Sequence, residues 1–153
     1  MAYEFKWVQR VEFADTDMAG IVHYANFFRY MEAAEHAFFR SLGFSIHTRL
    51  DGRSFGWPRV RAVCEYRSPL RFEDEVEIHL RVREKRSKSL TYDFTFRKLD
   101  GEEVAHGSLT VVCVAMDERT GQMKAAPIPE AIARQIEVAP EFSGEAVDSS
   151  IRD

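Results

Sequence analysis

A chain of 153 residues is long enough for one domain with a sizeable core, burying about two-thirds of the surface that the unfolded chain exposes. Apolar residues make up 45% of it, charged residues 30%, and the formal net charge is -4. That balance is ordinary for a globular protein and leaves no basic excess for general affinity to nucleic acid or anionic membranes.

The first element is a strand. In KWVQRVEF, over residues 6–13, Trp7, Gln9, Val11 and Phe13 share one face and Lys6, Val8, Arg10 and Glu12 the other. The N-terminal stretch, MAYEFKWVQR, has no apolar segment after a basic start, so no secretory signal is expected. No run reaches the roughly 18 apolar residues of a membrane span, and the cytoplasm is the expected location.

Ten residues, DTDMAGIVHY (15–24), lead into a helix signal, NFFRYMEAAEHAFFRSLG. Phe27, Tyr30, Met31, Ala34, Ala37, Phe38 and Leu42 recur at helical spacing, while Arg29, Glu32, Glu35 and Arg40 favour the remaining surface. Asn26 is a candidate N-cap and Gly43 a candidate C′ residue. Phe27, Phe28, Phe38 and Phe39 spread apolar bulk over more than half the helix, which predicts burial, and Ala33, Ala34 and Ala37 would admit a close neighbour.

Residues 44–58, FSIHTRLDGRSFGWP, read as an irregular connection containing Phe44, Phe55 and Trp57. Four alternating runs follow, at 60–66, 76–83, 90–97 and 109–115, with a hairpin signal at Asp100-Gly101. The last is apolar on both faces, which predicts burial on both sides. Cys64 and Cys113 lie in such runs. They are too few for a disulfide framework, lack metal-ligand spacing and read as reduced core residues. PIPEAIARQIE predicts a short C-terminal helix, and residues 138–153 a loose tail after one domain over 1–137. One long helix followed by antiparallel strands is an α+β arrangement with a single sheet packed on that helix. One helix covers only one face of the sheet, so a homo-oligomer is expected.

The ten residues between strand and helix carry the chemistry. Asp15 and Asp17 can act as plain turn-formers. Gly20 permits a sharp turn, and the helix begins near His23 to Asn26 with unpaired N–H groups and the positive end of its dipole. A carboxylate just upstream can share a carbonyl with those donors, an arrangement suited to hydrolysing an activated ester. An Asp-x-Asp phosphotransferase of the haloacid dehalogenase type would need a continuous apolar first strand and alternating strand–helix units, and the chain has neither. A metal site from Asp15, Asp17 and His23 matches no ligand spacing.

The segment VEFADTDMAGIVHYANFFRYMEAAEHAFFRSLG resembles the hotdog-fold acyl-CoA thioesterases of the 4-hydroxybenzoyl-CoA thioesterase type, through Asp17, Gly20, Ile21, Val22, His23, Tyr24, Asn26 and Phe27. The resemblance covers roughly the first 130 residues. It implies a curved antiparallel sheet of about five to six strands wrapped around one long buried helix. It implies dimers or tetramers joined at their sheet edges, with the active site where subunits meet. By position Asp17 matches the catalytic aspartate, as nucleophile or general base, and Asp15 does not. The N–H of Tyr24 is the implied oxyanion donor. Gly20, Ile21 and Val22 shape the approach, and His23 is a pocket wall or a proton-transfer group. Phe28, Tyr30 and Trp57 are candidates for the acyl pocket, Tyr30 fitting the core better. Another hotdog lineage uses a helix Glu, for which Glu32 and Glu35 are available. The run VREKRSKS, with Arg83, Lys85, Arg86, Lys88 and Ser89, is the candidate surface for the phosphates of CoA. No cofactor or metal is implied. The implied activity is hydrolysis of a small acyl-CoA, short-chain or aromatic; the alternative is a hotdog protein that binds acyl-CoA or acyl carrier protein without turnover.

Overall fold

The structure is a computed structural model and describes residues 1–144. Strands β1 (Glu4–Arg10), β2 (Thr48–Leu50), β3 (Arg53–Gly56), β4 (Arg59–Tyr66), β5 (Glu75–Lys85), β6 (Ser89–Lys98), β7 (Glu103–Val112), β8 (Val114–Met116) and β9 (Met123–Ala125) accompany helices α1 (Asn26–Ser41) and α2 (Glu130–Ala133). Five strands form one antiparallel sheet in the order β1-β5-β6-β7-β4, and four short ones a second in the order β2-β3-β8-β9.

Period-two alternation gives the main sheet an apolar inner face. Val76, Ile78, Leu80 and Val82 of β5 and Leu90, Tyr92, Phe94 and Phe96 of β6 are fully buried there. Helix α1 lies across it and buries Phe27, Met31, Ala34 and Phe38 in the same cluster. Each large apolar side chain among them contributes about 1.5–3 kcal/mol by leaving water. The closest approach is made possible by the sheet: a Cβ on Gly107 of β7 would lie 2.3 Å from Met31 Cε and 3.0 Å from the Val63 carbonyl oxygen. The space the sequence suggests on the helix, at Ala33, Ala34 and Ala37, is matched by a missing side chain on the strand.

The opposite face is polar. Arg81 Nη2 lies 2.5 Å from Asp93 Oδ2, Asp93 Oδ1 lies 2.8 Å from His106 Nε2, and Arg81 Nη1 reaches Glu141 at 2.9 Å. This face carries charge pairs in place of an apolar surface.

Several expectations are corrected by the structure. The first strand ends at Arg10, and Phe13 sits in a 3-10 turn (Phe13–Asp15) with 78% of its surface exposed. Asn26 is the first helical residue and not the cap; Ala25 holds that position, without a side-chain capping bond. Gly43, at φ +89°, ends the helix as expected, its N–H donating to the Arg40 carbonyl at 3.0 Å. Residues 44–58 contain the β2–β3 hairpin rather than an irregular connection. The run over 109–115 is two strands: the chain passes from the main sheet to the small one at Cys113, whose N–H donates to the Lys88 carbonyl, and this explains its apolarity on both faces. Glu35, expected at the surface, is 0% exposed and paired with Arg59 at 2.5 Å.

Beyond the single turn of α2, the Lys85 ammonium donates to the Ala133 and Ile136 carbonyls at 2.5 and 2.8 Å. Ala139 is buried and donates its N–H to Val82, and the Phe142 ring lies under the guanidinium groups of Arg81 and Arg83. Residues 138–144, assigned to the tail by sequence, therefore dock on β5. Residues 145–153 lie outside the described residues.

Candidate active site

Residues 15–23 form a small hairpin. Thr16 and Val22 pair as an antiparallel bridge, the Asp17 N–H donates to the Ile21 carbonyl at 2.9 Å, and the His23 N–H donates to the Asp15 carbonyl at 2.9 Å. Gly20, at φ +78°, closes the turn with its N–H on the Asp17 carbonyl, a conformation other residues adopt at a cost. The Val22 N–H donates to the Leu70 carbonyl at 2.8 Å, which ties the hairpin to the connection before β5.

Asp15 anchors this hairpin to α1. It is 4% exposed, and its Oδ2 accepts hydrogen bonds from the Tyr30 hydroxyl at 2.8 Å and the Glu12 N–H at 3.0 Å. Arg29 Nη1 lies 3.3 Å from Oδ1, and the Asp15 carbonyl takes a further bond from Asn26 Nδ2 at 2.8 Å. Burial, then the bond to Asp15, push the Tyr30 hydroxyl far above its ordinary pKa, so it stays a donor. Asp15 is thus a buried cross-link and more than the turn or cap residue that sequence suggests.

Asp17 is exposed, and its Oδ1 accepts the Ala19 N–H at 2.9 Å, an Asx turn. Its other oxygen has no hydrogen bond among the described residues. The carboxylate lines a cavity of about 490 Å³ with Ile21, Val22, Tyr24, Phe27, Tyr66, Arg67, Ser68 and Pro69. The walls are mostly apolar.

The helix mouth faces the same cavity. The His23 N–H is taken by Asp15, the Ala25 N–H by His23 Nδ1 at 3.2 Å, the Asn26 N–H by the His23 carbonyl and the Phe27 N–H by the Tyr24 carbonyl. Among amides 23–27, Tyr24 alone has no acceptor among the described residues. The end of a helix dipole and one open N–H beside a carboxylate are the parts of an oxyanion site.

The other sequence candidates fall as follows. Gly20 shapes the turn without lining the cavity. His23 also stays outside it: its ring stacks on Tyr24 at 4.5 Å, and an Nδ1 that accepts from Ala25 leaves the proton on Nε2. Phe28 packs half-buried against the core and Tyr30 holds Asp15. Trp57 is buried edge-on against Phe39 at 5.3 Å, so within one chain it does not bound the cavity. Glu32 lies near Arg59, and Glu35 is buried; burial pushes its carboxyl up and Arg59 opposes this. Arg86, Lys88 and Ser89 sit at the β5–β6 turn. The cavity is at the other end of β5, whose eleven residues span roughly 35 Å. Arg86 is already paired with Glu84. Among the described residues no group of three or more His, Cys, Asp or Glu could hold a metal ion.

Sequence reading missed Tyr66, Arg67, Ser68 and Pro69. They lie more than forty positions after Asp17 and carry no local motif; the end of β4 brings them to the hairpin.

The thioesterase-like superfamily matches residues 11–136. Acyl-CoA thioester hydrolase YbgC of Escherichia coli is 30% identical over 131 residues, covering 86% of this chain and 94% of that protein. Among solved structures, the gentisyl-coenzyme A thioesterase BH1999 is 34% identical with a TM-score of 0.72, covering 84% of this chain and 99% of that one. Slr0204, a 1,4-dihydroxy-2-naphthoyl-CoA thioesterase from Synechocystis, superposes with a TM-score of 0.75 over 85% of this chain and 93% of that one; at 24% identity it bears on the fold alone. The long helix wrapped by an antiparallel sheet is the hotdog fold, and the chain belongs to the thioesterase-like superfamily.

Proposed function

We propose that this protein hydrolyses the thioester of a small acyl-CoA, short-chain or aromatic, to the free acid and CoA. The observation that carries the reading is that Tyr24, whose amide alone among residues 23–27 has no acceptor among the described residues, lines the same cavity as Asp17. The names of YbgC as an acyl-CoA thioester hydrolase and of BH1999 as a gentisyl-coenzyme A thioesterase support a CoA thioester as the substrate class.

Two routes suit this geometry. In one, the Asp17 carboxylate attacks the thioester carbonyl carbon, the C–S bond breaks, and water cleaves the resulting mixed anhydride. In the other, Asp17 takes a proton from water as its oxygen attacks the same carbon. In both, the Tyr24 N–H stabilises the charge that develops on the carbonyl oxygen, worth about 2.7–4 kcal/mol for one such donor. A thiol with pKa near 8.5 leaves readily as thiolate. Ile21 and Val22 form the wall beside Asp17, Gly20 sets their turn, and His23 supports Tyr24 from behind.

The site is completed between copies of the chain. Strand β4 is an edge of the main sheet with no neighbour on its outer side among the described residues, and its Val60 is 63% exposed. That edge supports self-association, which is also the way Trp57 or the turn with Arg86, Lys88 and Ser89 would reach a neighbour's cavity and meet the phosphates of CoA. The free thiols of Cys64 and Cys113 support a reducing compartment, the cytoplasm.

Free-thiol release from a panel of acyl-CoAs tests the reading. Wild type is expected to release thiol, and Asp17→Asn to lose about a hundred- to ten-thousand-fold in kcat. A wild type that releases none while acyl-CoA raises its melting temperature would replace hydrolysis by binding without turnover.

A further inference from the structure

We propose that Tyr66 is a positioning residue for this hydrolysis: its hydroxyl, donated to the Tyr24 carbonyl, aims the Tyr24 N–H into the cavity. The inference rests on the reading of Tyr24 as the oxyanion donor.

The first turn of α1 starts on long hydrogen bonds between residues three apart. The Phe27 N–H reaches the Tyr24 carbonyl at 3.4 Å and the Phe28 N–H reaches the Ala25 carbonyl at 3.2 Å, and no side chain of the Ala25 cap holds the helix start. The Tyr66 hydroxyl meets the Tyr24 carbonyl at 2.8 Å, the shorter of that oxygen's two bonds. Tyr66, 45% exposed, is placed by its strand and by one ring contact. It ends β4, and its ring stands edge-on against buried Phe27, with centroids 5.0 Å apart at 88°.

The peptide that carries the Tyr24 N–H is held through the Asn26 N–H on the His23 carbonyl at 2.9 Å, and on the other side of the Tyr24 Cα the Tyr66 hydroxyl is a shorter contact than the Ala25 N–H on His23 Nδ1 at 3.2 Å or the Phe27 N–H on the Tyr24 carbonyl at 3.4 Å. Removal of the Tyr66 hydroxyl leaves that second peptide with its two longer bonds. Tyr24 is 65% exposed, and its ring is stacked on that of His23. A small rotation there turns the N–H away from the carbonyl it must meet, and hydrogen bonds weaken steeply with angle. Burial, with Cys64 beside it, raises the Tyr66 hydroxyl to about 12, so it remains a donor throughout the neutral range.

Tyr66→Phe removes one oxygen and keeps the ring against Phe27. Its kcat is expected to fall about tenfold, a fraction of the hundred- to thousand-fold effect of losing an oxyanion donor outright, with KM within about twofold of wild type. In ¹H–¹⁵N spectra the Tyr24 amide resonance is expected to move while those of Asp15 and Tyr30 stay in place. An unchanged kcat or a stationary Tyr24 resonance would overturn the assignment. A rise in KM with kcat intact would overturn it too, making Tyr66 a substrate contact. A wild type without thioesterase activity would remove the hydrolase reading and this inference together; an active wild type matched by Tyr66→Phe would remove the inference alone.

Discussion

Asp15 and Asp17 stand two residues apart and do different work. The 3-10 turn over Phe13–Asp15 carries the first inward, onto Tyr30 and the Glu12 amide, and the bridge at Thr16 leaves the second at the mouth of the cavity. Asp15→Ala strands a buried tyrosine hydroxyl and removes hydrogen bonds to a charged acceptor. It is expected to lower unfolding free energy by about 2–4 kcal/mol, read by urea denaturation. Asp17→Asn should behave in the opposite way. The amide oxygen can still accept from Ala19, so stability is expected to stay within about 0.5 kcal/mol of wild type while thiol release collapses. A destabilised Asp17→Asn protein would mean that the residue is structural.

Helix α1 is held by apolar packing along one side and carries titratable groups where that packing ends. Burial lowers the His36 imidazole below its ordinary value of 6.5, against the pull of Glu32. As pH falls through about 6.5 the unfolded chain takes up the proton first, so stability is full above that value and is lost as pH drops toward the depressed folded value. The gap between melting temperatures at pH 7 and pH 5 is expected to narrow in His36→Gln; an unchanged gap would place the acid sensitivity elsewhere. The contact of α1 with β7 gives a second expectation at this scale. Gly107→Ala pushes a Cβ into Met31 and against the Val63 carbonyl, and the backbone oxygen cannot move aside as the thioether can. A loss of about 1–3 kcal/mol, measured by thermal or chemical unfolding, is expected from overpacking.

At the scale of the molecule, the outer face carries charge pairs and the bare edge of β4 supplies a reason for assembly. Exposed edges are managed in native proteins by charge, by covering or by pairing. Val60→Asp puts a carboxylate on that edge without touching the core. If copies join there, light scattering after size exclusion should show a smaller species and thiol release should fall with it. An assembly of unchanged size would exclude β4 as the joining edge.

Much of this fold is legible along the chain because burial in a sheet or helix repeats every two or every three to four residues. The inner residues of β5 and β6, the apolar stripe of α1 and the turn glycines at 20 and 43 are visible in that way. Glu35 is not: at the sequence level a carboxylate marks a surface, and only Arg59, contributed by a strand 24 residues later, makes its burial tolerable. The small β2–β3 hairpin escapes for a similar reason, since β3 gains its second neighbour from β8.

What the sequence by itself determined is the linear motif: a carboxylate, a turn glycine and a helix start within ten residues, whose relations are local and set by chain geometry. Tertiary structure alone decided that the Tyr24 amide, among residues 23–27, has no acceptor among the described residues, that Tyr66 to Pro69 wall the cavity, and that Trp57 and the basic turn lie away from it in a single chain. Those outcomes depend on strand pairing and packing between residues distant in sequence, and no pattern within a short window encodes them.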